Sequence, residues 1–205
     1  MPYHIICCDA YYKNEQAIGE HKLMINGIEP TAAWKEIPGY RKKVFDYFTF
    51  LKGKRFKGRI PDFVKLYLNE GDEKLPQASL LGGSLSWLIF SQQLLDFTRP
   101  LIKKDVQVFD APVYLKSGEK VEGYKIINSI HVVDCIDWDK SEVGRRKDGT
   151  ISCMGKIYIK EDNVGNRHLF RLKGWTYSDI VSDQLAKSIA RNGFKGIAFI
   201  RCGVS

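Results

Sequence analysis

Three sets of residues have types and spacings that chemistry could use. The first is acidic: Asp134, Asp137 and Asp139 lie close together, with His131 and Cys135 beside them. In an extended chain Asp137 and Asp139 would share a face, as a hard-cation site or a carboxylate pair needs. The spacing is not that of a calcium loop, and the glycine its sharp turn needs is missing. His131 and Cys135 supply two ligands where zinc takes four. Asp-Trp-Asp-Lys-Ser after an apolar run better suits a turn whose side-chain oxygens accept from nearby backbone amides. The expected role of these acids is therefore to end a strand.

The second set is Gly82-Gly83-Ser84-Leu85-Ser86, with Asp134 and His168 following in the order of a hydrolase triad. It departs from Gly-x-Ser-x-Gly at the last position, where lack of a side chain permits the tight strand-to-helix turn. Residues 79–81 are also short for the strand that should precede it. Ser84 as a helix N-cap after a Gly-Gly turn accounts for the pattern without catalysis. His4, His21 and His168 are isolated in sequence, and no phosphate-cradling glycine motif occurs. No catalytic residue, cofactor or metal is expected.

The third set is basic. Between Arg41 and Arg59 there are eight basic residues and one acid, Asp46, a local balance of +7 in a chain of formal charge +8. Its densest part is Lys52-Gly53-Lys54-Arg55-Phe56-Lys57-Gly58-Arg59. Such a cluster attracts phosphates or carboxylates, and a guanidinium fork binds either bidentately. Phe56 is placed to stack on a base, and the flanking glycines suggest an exposed turn. A solvated hairpin tip that keeps the chain soluble is the equal alternative. Lys54, Arg55, Lys57 and Arg59 are the expected partner-binding residues. The aromatic signature of an RNA-binding fold is missing.

Elements must position these residues, and the bulk numbers bound what those elements build. A chain of 205 residues, 44% apolar and 27% charged, suits one globular domain over residues 1–205. No apolar run approaches the roughly 18–20 residues of a spanning helix, and residues 1–13 lack the basic leader and apolar core of a secretion signal. Membrane association is not expected. Five cysteines, two of them adjacent (Cys7 and Cys8) and none in Cys-x-x-Cys, fit reduced thiols in a cytoplasm.

Along the chain, residues 3–8 read as a short strand, and Gly19, Gly27, Pro30, Pro38 and Gly39 punctuate a loop-rich region. Aromatic residues over 44–51 predict a strand. Leu85, Leu88, Ile89 and Leu95 predict a helix over 84–97, capped by Ser84 and ending before Pro100. Strands follow over 106–108, 113–115 and 124–133, with Ser117-Gly118 as a turn. At the C-terminal end, 168–172 and 180–181 read as strands. Ser182 caps a helix whose apolar stripe is Leu185, Ala186, Ile189 and Ala190, Gly193 stops it, and 197–200 returns as a strand. The predicted class is α+β, a mixed or mainly antiparallel sheet with packed helices and a strand–helix–strand ending.

Two blocks of sequence resemble the eleventh immunity-protein family of bacterial polymorphic toxin systems. The first is Tyr124 to Ser141, with Asn128 before a strand and Cys135-Ile136-Asp137 followed by Lys140-Ser141. The second contains Leu169-Phe170-Arg171-Leu172, Ile180-Val181-Ser182-Asp183-Gln184-Leu185 and Gly193-Phe194-Lys195-Gly196-Ile197-Ala198-Phe199, with a weaker echo at Ile60-Pro61-Asp62-Phe63. The resemblance implies a cytoplasmic protein that binds and neutralises a cognate toxin by direct protein contact, with no catalytic residue. An acidic toxin would match the basic turn. A nucleic-acid-binding module using residues 41–59 is the second reading, and a small serine hydrolase using Ser84 the third.

Overall fold

The computed structural model describes residues 2–8, 24–25, 47–61, 64–67, 78–81, 87–115, 117–147 and 151–205. In chain order its strands are β1 (Tyr3–Cys8), β2 (Met24–Ile25), β3 (Leu66–Tyr67), β4 (Leu80–Leu81), β5 (Leu88–Ser91), β6 (Val106–Asp110), β7 (Val113–Tyr114), β8 (Lys120–Val121) and β9 (Tyr124–Ser129). They continue with β10 (Val132–Val133), β11 (Val143–Arg145), β12 (Ile151–Met154), β13 (Tyr158–Ile159), β14 (Leu169–Leu172), β15 (Trp175–Ser182), β16 (Ile197–Arg201) and β17 (Gly203–Val204). The helices are α1 (Gln92–Ile102) and α2 (Asp183–Arg191). The fold is α+β, as the sequence predicts.

Two sheets carry most of the core. The larger has the order β10-β14-β15-β1-β16, antiparallel except where β10 runs parallel to β14. The second, β4-β5-β9-β6, is antiparallel throughout. Alternation along each strand sends residues to opposite faces. In the second sheet Leu81, Ile89 and Ile126 join one core cluster with Phe50, Val64 and Val113. Leu80, Leu88, Phe90 and Ile127 join another with α1, α2 and the inner face of the larger sheet. The outer face of the larger sheet, through Phe170, Leu172 and Ile180, closes a third cluster with Cys135, Ile159 and Cys202. Each such buried aliphatic or aromatic side chain stabilises the fold by roughly 1.5–3 kcal/mol.

A sheet covered on both faces explains one departure from the expected elements. Leu88, Ile89 and Phe90 are all buried, so their run is continuous and shows neither helical nor strand periodicity. They form a strand paired with β9, and the helix begins only at Gln92, where Ser91 accepts from the Leu94 amide at 3.2 Å. Pro100 lies inside that helix instead of beyond it, on its exposed side. The expected helix over 84–97 is thus corrected to strand then helix, and residues 82–86 lie outside the described residues. Of the expected strand over 44–51, the described part is a 3₁₀ helix, Tyr47–Lys52, whose buried Phe50 packs on Trp87 and Phe109. The expected strand over 124–133 is two strands in different sheets. The break falls where the Ile130 amide donates to Asp105 and the His131 carbonyl accepts from Arg171.

The strand–helix–strand ending is present, with β15 and β16 on either side of β1. Ser182 accepts from the Leu185 amide at 3.3 Å, and Gly193 takes the left-handed conformation (φ 69°) past the helix end. Leu185, Ala186 and Ile189 face the core, whereas Ala190 is exposed, so the apolar stripe is narrower than expected.

At the centre of the larger sheet sits an ion pair. Arg171 and Asp179 face each other across β14 and β15, with side chains 0% and 3% exposed. Nε and Nη2 donate to the two carboxylate oxygens at 3.0 and 2.9 Å, and Nη1 donates to the Thr176 carbonyl at 3.0 Å. Burial pushes the Asp179 carboxyl above its ordinary value, and the guanidinium pulls it back. Arg171→Met alone strands a buried acid and should cost about 3–5 kcal/mol in urea unfolding. Pairing it with Asp179→Leu should restore most of that loss.

A second pair ties α2 to β1. The Asp183 carboxylate accepts from Lys187 at 2.6 Å and from His4 at 3.1 Å, and these contacts hold it below the usual carboxylate range. A depressed folded value contributes stability above the unfolded value, and that contribution is lost as pH falls through the folded value. The wild type should therefore exceed Asp183→Asn in urea midpoint at neutral pH. The margin should shrink below about pH 4, the ordinary carboxylate value.

Candidate partner-binding surface

The basic segment leaves the 3₁₀ helix at Gly53, whose left-handed φ of 58° turns the chain. A Cβ at Gly53 would strike Val132, so the loop begins pressed against β10. From there Lys54, Arg55, Lys57 and Arg59 are exposed, while Phe56 turns inward and is half-buried. The Phe56 ring meets Phe50 and Phe109 edge-on, at 5.7 and 5.9 Å between centroids. The expected use of Phe56 as a base-stacking platform is thereby corrected: its ring belongs to the core.

Two side chains of the second sheet hold the loop backbone. Gln107 and Asn128 are register partners on β6 and β9. The Phe56 amide donates to the Gln107 carbonyl oxygen at 2.6 Å, and the Gln107 amide donates to the Phe56 carbonyl at 3.2 Å. Asn128, fully buried, donates from Nδ2 to the Lys54 carbonyl and to Gln107, each at 3.0 Å. A sheet-borne amide pair thus replaces the partner strand the loop lacks. The basic turn is held to the sheet through the backbone of Lys54 and Phe56.

The rim of this turn continues into an open cleft of about 550 Å³ between the loop, α1 and β6. Arg59, Arg99 and Lys125 line it, with Lys125 bonded to Asp110. Arg99 and Lys125 come from elements distant in sequence, and no local pattern could have joined them to the basic segment. Arg41, Lys42 and Lys43 lie outside the described residues.

The acidic set is a turn. Asp137 is buried and its Oδ1 accepts from the amides of Asp139 and Lys140 at 3.2 and 3.4 Å. A bond from Ser205, then these amides, hold its carboxyl below the usual range against the opposing effect of burial. Asp134 is elsewhere, paired with Lys173 at 2.7 Å, and Asp139 is exposed. His168 bonds Ser182 at 2.8 Å, and its amide donates to Asp105 at 2.9 Å. Burial pushes the thiols of Cys135 and Cys202 up to about 12 and about 11. Ser84 falls outside the described residues.

The class defined so far is an α+β protein that offers a fixed, cationic surface. Its family is given by sequence comparison: the model described as Immunity protein family (Imm11) matches residues 5–204, and the chain belongs to that family. The match reaches well beyond the C-terminal blocks that carry the resemblance in sequence. No curated protein matches the chain in sequence.

The amide pair makes a measurable claim about the turn. Gln107→Ala removes both anchors of Phe56 and should destabilise the protein by about 1–3 kcal/mol. It should also open the loop to limited trypsin digestion after Lys54 and Arg55, bonds the wild type should protect.

Proposed function

We propose that this chain neutralises a cognate bacterial toxin by binding it directly in the cytoplasm, as one domain and without chemistry of its own. The observation that carries this reading is the family match over nearly the whole chain. Among the described residues, no helix is long and apolar enough to cross a membrane. Lys54, Arg55, Lys57 and Arg59 are the proposed steering surface. They are exposed on a loop already held by three backbone hydrogen bonds to Gln107 and Asn128, so little ordering remains to oppose binding. With no acid among residues 52–61, they attract an acidic partner over a Debye length of about 8 Å at physiological salt.

An inhibitory complex of this kind should bury about 1,200–2,000 Å². The nucleic-acid reading keeps the exposed cations but not its stacking residue, because the Phe56 ring packs on Phe50 and Phe109. The test is co-expression with a toxin candidate encoded beside this chain's gene, scored for growth rescue and co-purification. Both are expected. Rescue without a complex would mean enzymatic reversal of the damage instead. Within a complex, reversing all four charges should slow association at least tenfold at low salt and flatten its salt dependence. An unchanged rate would remove the steering role.

A further inference from the structure

We infer that the toxin is anchored by a second surface, the aromatic face formed where the β14–β15 bulge meets the β11–β12 hairpin, and that this face takes an acidic-rimmed patch of the toxin. The inference rests on the toxin-binding reading and adds the contact that holds the complex.

The face is built from the core outward. On β14, Arg171 and Leu172 are consecutive, yet their partners on β15 are Asp179 and Trp175. Thr176, Tyr177 and Ser178 therefore bulge out of the ladder. The buried Arg171 holds the bulge from beneath through the Thr176 carbonyl. Bulges of this kind re-aim side chains, and this one sends Tyr177 outward, 57% exposed. Trp175 supports it edge-on, with ring centroids 5.4 Å apart. Trp175 and Trp138 are both half-buried against the third core cluster. Trp138 lies beside Gly174, where a Cβ would come within 3.3 Å of the indole, and the Arg145 guanidinium sits over that ring at 5.1 Å.

Tyrosine, tryptophan and arginine on a rigid base are the residues that dominate measured interfaces, and aromatic anchors lose little entropy when they bind. The rim sets the partner's sign: Arg145, Arg146 and Lys147 are exposed at the tip of the hairpin. The face also adjoins the steering loop. Gly53 presses on Val132, and Val132 pairs with Arg171, the residue beneath the bulge. The 3₁₀ helix before the loop packs on β15 itself.

The experiment measures binding of the full chain to the toxin candidate that the co-expression test identifies, by surface-immobilised kinetics. Tyr177→Ala should raise the dissociation rate about thirtyfold or more, the effect of an anchor worth about 2 kcal/mol. Its association rate and thermal unfolding should stay unchanged. Arg145→Glu should also speed dissociation, about tenfold, and Tyr177→Phe should stay near wild type. If Tyr177→Ala and Arg145→Glu both dissociate like wild type, the anchor is overturned while toxin binding stands. If the wild-type chain shows no binding, both fall together.

Discussion

Burying a guanidinium and a carboxylate in the middle of a sheet is tolerable only with a complete hydrogen-bond set, and that requirement organises this protein. Desolvating two charges costs several kcal/mol each, recovered only by near-ideal mutual geometry and by partners for every leftover donor. Arg171 and Asp179 meet much of it with a bidentate contact and one further bond to Thr176, so that each guanidinium nitrogen donates at least once. A register slip of β14 against β15 would separate the charges, so the pair selects one alignment out of several that apolar residues alone would accept. It also compels the bulge, because a regular ladder would carry the Thr176 carbonyl away from Nη1. The same strand passes the constraint on, since the Arg171 amide bonds His131 and fixes where β10 begins.

A second polar device works on the neighbouring sheet by the same logic at lower stakes. Gln107 and Asn128 place uncharged amides against a core face and use them to hold the backbone of a loop that has no strand to pair with. The arrangement is not fully satisfied. Among the described residues, Asn128 Oδ1 and Ser129 Oγ are buried without a hydrogen-bond partner, at about 1–3 kcal/mol for such a group. Setting that cost against the loop's bonds gives a small net energy but a well-defined loop path. Both devices thus contribute geometry more than stability, and both do so directly beneath exposed side chains.

The difference between what the sequence revealed and what it hid follows from range. The β15–α2–β16 ending was legible because its signals are local: Ser182 at the cap, Asp183 after it, Gly193 beyond the end. Residues 88–91 were misread because burial on both faces erases the period that separates strand from helix. The aromatic run over 44–51 points to a strand, but Phe50 serves a cluster completed by Trp87 and Phe109, far along the chain. The acidic turn was legible in kind, since Asp137 caps its own backbone. For the candidate surface, the exposed cations were visible as a charge run, but the inward turn of Phe56 depends on Gln107 and Asn128, far along the chain. The bulge was invisible for the same reason: Arg171 reads as a strand residue like any other until Asp179 is placed across from it.

On the proposed reading, steering and anchoring fall to different chemistry because their ranges differ. Charges on the 54–59 loop act over about a Debye length and bear on encounter. Rings such as Tyr177 and Trp175 act only in contact and bear on how long a complex lasts. Because they sit on separate segments, residues 54–59 and Tyr177, they can be altered independently at the surface. Both nevertheless answer to buried groups, the loop to Gln107 and Asn128 and the bulge to Arg171. A substitution in the core could therefore shift recognition without touching any partner, whereas exchange of the exposed side chains leaves the supports intact. The exposed side chains carry little that the fold depends on, whereas the residues beneath are held to their geometry by the cost of leaving a buried charge or amide unpaired.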